Sequence, residues 1–179
     1  VKLGKLLQFA SGAVYADDGK SWLPVHDQKI EALKSVIEEA GGESVLVAYQ
    51  YRHELERILA AFPAARELDK DPETIARWNR GEIPILVAHP AACGHGLNLQ
   101  NGGRILVFFS LGFNYEHYAQ MIERIGPTRQ TQAGHPRSVF IYYLVTRGTV
   151  DGSVLQALRK KEKVLDFILG KVKHEKGNP

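Results

Sequence analysis

The chain is expected to fold as one α/β domain, a mainly parallel sheet covered by helices on both faces. Short runs rich in Val, Ile and Leu alternate with segments whose apolar residues recur at helical spacing, and most connections between them are short. The runs are apolar throughout instead of alternating, as strands buried on both faces must be. The 179 residues lie within the range of one domain and suffice for a sizeable core, since a chain of about 150 residues hides roughly 70% of its extended surface.

Val1 to Ala16 mixes apolar residues with Gly4, Ser11 and Gly12 without a clean period, and reads as a short helix followed by an irregular arm. Asp17-Asp18-Gly19-Lys20-Ser21 is a turn. Asp27 is placed to cap a helix over Gln28 to Ala40, with Ile30, Leu33, Val36 and Ile37 on one face and Gly41-Gly42 at its end. Ser44 to Tyr49 is the first sheet strand. Gln50-Tyr51-Arg52 opens the loop at its carboxyl end, the edge where open parallel sheets collect ligands.

His53 to Phe62 is an amphipathic helix with Leu55, Ile58 and Leu59 inward, stopped by Pro63. Asp71-Pro72-Glu73 supplies a cap, a proline at the first helical position and an acidic first turn for a helix over Pro72 to Arg80, with Trp78 as its core anchor. Ile83 to Val87 and Ile105 to Phe109 are buried strands, and Ser138 to Val145 is the last, rich in β-branched and aromatic residues. Thr149 then caps a long helix. Val150, Val154, Leu155, Leu158, Leu165, Ile168 and Leu169 form its apolar stripe, its lysines face outwards, and Lys171 to Pro179 reads as a frayed tail.

The loop between the second and third of these strands, Ala88 to Gln100, organises the chain. Gly94 and Gly96 allow close backbone approach or positive φ, and Asn98 offers both a donor and an acceptor, a combination suited to phosphate or nucleic-acid backbone. Downstream, Gln120 and Arg124 stand one helical turn apart, on a face not shared by Tyr118, Ile122 and Ile125. Two groups able to grip a nucleotide would then project the same way.

Gly94-x-Gly96-Leu97-Asn98-Leu99 resembles motif V of superfamily 2 helicases of the Snf2 type, and Gln120-x-x-x-Arg124 followed by Arg129-Gln130 resembles their motif VI. The strand and the aromatic turn Phe113-Asn114-Tyr115 between the two blocks also fit, and the resemblance runs from about Leu6 to about Leu169. It implies a three-layer αβα, RecA-like domain of the P-loop NTPase type, the second of two, over residues 26–170. Residues 1–25 would then be an arm or linker from the missing first domain, and 171–179 a flexible tail.

The resemblance further implies ATP hydrolysis coupled to movement along double-stranded DNA, and the compact, insert-free build suggests a phage or bacterial origin for the parent. ATP would sit between the two RecA-like domains, and the second would donate arginines to charge developing on the γ-phosphate. A guanidinium suits this because it is always charged and forks onto phosphate oxygens. Arg124 and Arg129 are the candidates. Gln120 and Gly126 would couple ATP state to the cleft, Tyr49 and Gln50, matching motif IV, would lie near the nucleotide, and Gly94, His95, Gly96 and Asn98 would meet nucleic acid.

Two departures from the family pattern matter. The second arginine usually follows the first by three residues, whereas here position 127 is proline and Arg129 comes five after Arg124. Either the chain leaves the helix early and brings Arg129 round to contact the γ-phosphate, the favoured assignment, or Arg124 does this work. The chain also lacks a G-x-x-x-x-G-K-[ST] loop and an acidic Asp-Glu box for magnesium. Mg2+ would be held by the missing domain, and this chain alone is expected to bind ATP weakly without hydrolysing it.

Two other readings stand beside this one. A catalytically inactive docking module of the same fold would keep the surface without the chemistry. A Rossmann-type enzyme would use Gly94-His95-Gly96 as its dinucleotide turn, but the third glycine and the later acidic residue are absent. His89, Cys93 and His95 fall short of the four ligands of structural zinc, so no metal site is assigned. The net charge of +3, with seven basic against three acidic residues from Arg159 onward, is compatible with a polyanion without requiring one. One cysteine, no apolar span and no signal pattern fit a cytoplasmic protein, and a start at Val1 within folded sequence fits an excised segment.

Overall fold

The structure, a computed structural model, describes residues 2–69, 71–93 and 97–175, with side chains described up to residue 163. In chain order the elements are α1 (Lys2–Ser11), β1 (Ala13–Tyr15), β2 (Trp22–Pro24), α2 (Gln28–Glu39), β3 (Val45–Ala48), α3 (Arg52–Ala61), β4 (Ala65–Glu67), α4 (Pro72–Asn79), β5 (Ile85–Ala88), β6 (Ile105–Phe108), α5 (Tyr115–Ile125), α6 (Pro127–Gln132), β7 (Phe140–Tyr143) and α7 (Asp151–Glu175). A short 3-10 turn, Pro90–Cys93, follows β5.

Five strands form one parallel sheet in the order β4-β5-β3-β6-β7. All four residues of each of β3, β5 and β6 are buried, as the unbroken apolar runs required. The pleat sends Val45, Val47, Ile85, Val87, Ile105 and Val107 to one face, where Leu33 and Val36 of α2 and Leu55 and Ile58 of α3 cover them. Leu46, Ala48, Leu86, Ala88, Leu106 and Phe108 point the other way, onto Trp78 of α4, Met121 and Ile125 of α5, and Val154 and Leu158 of α7. These are the three αβα layers expected.

Several local expectations need correction. The irregular arm is a β-hairpin, β1 against β2, closed by Asp18, whose carboxylate accepts from the Lys20 and Ser21 amides at 2.9 Å each. Asp27 sits at the N-terminus of α2 but makes no side-chain cap; it pairs with Arg57 of α3 at 3.0 Å instead. The edge strand β4, three residues of mixed polarity, carries no sequence signal and exists because β5 offers it an open ladder. Helix α7 runs on to Glu175, past the point where the tail was expected to fray. Leu165, Ile168 and Leu169 lie outside the residues whose side chains are described. Among the described residues no helix is long and apolar enough to cross a membrane.

The N-terminal segment docks on α3 through a polar and aromatic seam. The Arg57 guanidinium donates to the carbonyls of Ser11 at 2.8 Å and His26 at 2.7 Å. His53 is fully buried among the rings of Tyr15, Trp22 and Tyr51, and neither ring nitrogen is hydrogen-bonded among the described residues. Burial, with the Arg57 charge adding to it, pushes its pKa from 6.5 down to about 4.

The unfolded chain therefore takes a proton on this histidine near pH 6.5, which the folded chain refuses until about pH 4. Stability supplied by neutral His53 is complete above the higher value and is lost as pH falls through the window, by at most about 1.4 kcal/mol per pH unit. Chemical unfolding of wild type and His53→Phe at pH 7 and pH 4.5 checks this: the variant is expected to lose less stability on acidification, and equal losses would refute the assignment.

Candidate functional site

The strands β3, β5, β6 and β7 end level with one another, at Ala48, Ala88, Phe108 and Tyr143. The loops that follow therefore meet along one edge of the sheet, the edge where parallel sheets bind ligands. After β3 come Tyr49 and Gln50, after β5 the stretch from His89 to Gln100, and after β6 the segment Phe109 to Asn114.

The loop after β3 is held from below by Glu54, a wholly buried carboxyl in the first turn of α3. Its Oε2 accepts from the Gln50 amide at 2.7 Å, the Tyr51 amide at 3.2 Å and the Ser110 hydroxyl at 2.7 Å, tying the loops after β3 and β6 together. Burial raises the Glu54 pKa against these bonds and the nearby Lys29 charge, which oppose the shift. Gln50 then packs closely on Gly112, where a Cβ would lie 2.7 Å from its Oε1, so a larger residue there would displace the Gln50 amide. Tyr49 is buried, donates to Glu67 at 3.1 Å and meets the ring of His89 edge-on at 5.4 Å. Burial, then the Glu67 charge, pushes its hydroxyl up to about 12.

In the loop after β5, Gly94, His95 and Gly96 lie outside the described residues. What surrounds them is fixed. Trp78 Nε1 donates to the Leu99 carbonyl at 2.8 Å, and the Asn79 amide donates to the Asn98 carbonyl at 2.8 Å, leaving Asn98 itself exposed. Cys93 is buried and its thiol is pushed up to about 12 by burial, so it stays protonated and packs as a small apolar group. Burial also lowers the His89 pKa. Among the described residues no group of three or more His, Cys, Asp or Glu is placed to hold a metal ion.

Gln120 and Arg124 do not project together as their spacing suggested. Gln120 is half-buried and donates to Glu116 at 3.1 Å along the surface of α5. Arg124 is only 6% exposed and turns inward, its Nε donating to the Cys93 carbonyl at 3.0 Å and one terminal nitrogen to the Leu97 carbonyl at 3.3 Å. Its guanidinium thus clasps the loop on both sides of residues 94–96. Helical spacing cannot reveal this, because it is the loop carbonyls that make the buried position tolerable to a charge.

The proline at 127 does end the helix. α5 stops at Ile125, Gly126 adopts an extended conformation (φ −62°, ψ 168°), and α6 starts afresh with Pro127 at its first position. A Cβ at Gly126 would lie 2.7 Å from the Ile122 carbonyl, so the break requires glycine there. On α6, Arg129 is half-exposed and its side chain makes no hydrogen bond or ion pair among the described residues. Sequence reasoning missed Glu54 and Ser110, and it quoted Gln130 within the motif VI resemblance without a role for this fully buried side chain. Tyr51-x-x-Glu54 carries half of the capping-box signature, the glutamate reaching back to the first backbone amide, and was the one available signal.

Comparison with known proteins places this geometry. A family model described as the helicase conserved C-terminal domain matches residues 28–128. A protein designated p41 of Acyrthosiphon pisum secondary endosymbiont phage 1 is 54% identical over 171 residues, which cover 96% of this chain and 37% of that protein. The chromatin-remodeling ATPase INO80 of Cryptococcus neoformans var. neoformans is 26% identical over 165 residues, 83% of this chain and 9% of that protein. Among solved structures, the C-terminal part of the Fun30 ATPase domain aligns with a TM-score of 0.58 at 20% identity, over 82% of this chain and 54% of that one. The Pyrococcus furiosus Hef helicase domain aligns with a TM-score of 0.55 at 19% identity, over 80% and 30% respectively. The chain thus spans little more than a third of its phage relative, and the structural neighbours share its RecA-like fold.

Beneath the loop edge lies a buried ion pair, Lys29 of α2 with Asp151 at the start of α7, 2.7 Å apart with side chains 2% and 4% exposed. Asp151 also accepts from the Thr146 amide at 3.0 Å, fixing the loop after β7. Replacing Lys29 by Met strands a buried carboxylate and is expected to cost about 3–5 kcal/mol, with part recovered in Lys29→Met/Asp151→Asn. Urea unfolding midpoints measure both; a single variant as stable as wild type would contradict the pairing.

Proposed function

Because this chain belongs to the helicase conserved C-terminal domain family, as the second RecA-like domain of a Snf2-type superfamily 2 protein, we propose that it completes a composite ATP site and couples that site to double-stranded DNA. The first RecA-like domain of the parent would hold the nucleotide and Mg2+. This chain would supply the arginine that meets the γ-phosphate and the loop that meets the DNA strand, and the parent would act in the cytoplasm.

One observation carries the division of labour between the two arginines. Arg124 is buried and already committed to two loop carbonyls, whereas Arg129 is half-exposed on a separate short helix and uncommitted among the described residues. An uncommitted guanidinium can answer charge that develops on a transferring phosphoryl group without first breaking bonds. Arg124 instead links α5 to the loop of residues 93–97, so that a change in DNA contact at Asn98 and the adjoining residues shifts α5, and with it Gln120 and the Gly126 hinge. Tyr49 and Gln50, held on the same edge, would border the nucleotide.

The test is ATP hydrolysis by the parent polypeptide, with and without double-stranded DNA. Arg129→Ala is expected to lower kcat by roughly 10³-fold or more while KM for ATP changes little. Arg124→Ala is expected to lose DNA stimulation and also stability, since the Cys93 and Leu97 carbonyls lose their donor. Full DNA-stimulated activity in Arg129→Ala would overturn the assignment, and absent hydrolysis by the wild-type parent would favour an inactive docking module.

A further inference from the structure

We propose that Gln130 is the positioning residue for Arg129, and that Arg137 holds the Gln130 amide in the orientation this requires; the inference rests on the reading of Arg129 given above. The six residues of α6, Pro-Thr-Arg-Gln-Thr-Gln, are too few to be stable alone, and their one aliphatic side chain, Pro127, is exposed and does not seat the helix on the core. Gln130 is the buried residue of this helix, fully removed from solvent. The element carrying Arg129 is therefore anchored by an amide, in place of the usual apolar contact.

That amide is saturated. Its Nε2 lies 3.1 Å from the Ile125 carbonyl at the end of α5, 3.0 Å from the Gln100 carbonyl and 2.9 Å from the Gly103 carbonyl, so two N–H groups are shared among three acceptors. Its Oε1 accepts from Arg137 Nε at 2.8 Å, and a terminal nitrogen of Arg137 donates to the same Gln100 carbonyl at 3.2 Å. The arginine can only donate and the carbonyls can only accept, so the amide has one permitted orientation. A flipped amide would set an oxygen against three carbonyls and an NH2 against a guanidinium.

Apolar contacts hold a helix near a surface with little directional preference, whereas these bonds fix distance and angle at once. They join the three pieces whose relation the helix break would otherwise leave loose: the end of α5, the start of α6 and the segment from Gln100 to Gly103 that leaves the DNA-facing loop. Arg129 is the neighbour of Gln130 on this short helix. A tilt of α6 sufficient to break the amide contacts moves the guanidinium by an ångström or more, a displacement of the kind that costs about 100-fold in rate at a preorganised site.

Single-turnover ATP hydrolysis by the parent polypeptide on double-stranded DNA tests this. Gln130→Ala is expected to lower the hydrolysis rate by about 10- to 100-fold with the apparent affinity for ATP within about twofold. In an Arg129→Ala background the same change is expected to cost nothing further, because the residue it positions is gone. Arg137→Ala, which removes the donor to the Gln130 Oε1 and leaves the three carbonyl contacts, is expected to show the same pattern more weakly, and it substitutes for Gln130→Ala if that variant fails to fold. A wild-type rate in folded Gln130→Ala, or an equal fold-loss in both backgrounds, overturns the proposal. A wild-type rate in Arg129→Ala alone would instead remove the reading on which it rests.

Discussion

The in-register ending of the parallel strands is the constraint on which the rest of this structure depends. β3 pairs residue for residue with β5 and β6, and β6 with β7, so four strands of four residues stop at one level. The inner strands β3, β5 and β6 are wholly buried between the two helical layers, so a slip of one residue would turn the apolar set of one face toward the other layer. Loops that are distant in sequence are thereby delivered to a single edge. The DNA-facing and ATP-facing roles proposed here need that proximity.

Beneath that edge the chain uses polar groups where a smaller demand on precision would have allowed apolar ones. Glu54 joins the loops after β3 and β6, the Lys29–Asp151 pair joins α2 to α7, Arg124 clasps the loop after β5, and Gln130 seats α6. Burying such groups costs free energy that their hydrogen bonds only partly return. What they add is direction: each bond restricts an angle as well as a distance, and each links elements that could otherwise shift on their apolar faces. The loops of this edge are thereby tied to one another and to the helices beneath them.

Much of the fold was legible because burial on both faces writes itself into composition. The valine- and isoleucine-rich runs gave the strands, and Asp71-Pro72-Glu73 gave α4, where Asp71 does accept from the Glu73 amide and Trp78 is fully buried. The helix break at Pro127 was also readable, since a proline restricts the residue before it and forces an early exit. What could not be read were interactions set by distant partners. Asp27 has the right type to cap α2, yet Arg57, thirty residues on, captures it. Arg124 and Gln120 share a helical spacing, yet carbonyls on another loop draw only Arg124 inward. Gln130 could be placed in the motif VI resemblance, but its burial could not be read, because three carbonyls and an arginine are brought round it only by the fold.

The central claim is that Arg129 stabilises the transferring phosphoryl group and not the nucleotide in general. Equilibrium binding of ADP to the parent polypeptide, with and without aluminium fluoride as a mimic of that group, tests it most directly. The wild type is predicted to bind ADP–aluminium fluoride more tightly than ADP, and Arg129→Ala to lose that preference while binding ADP as before. An undiminished preference in Arg129→Ala would contradict the account.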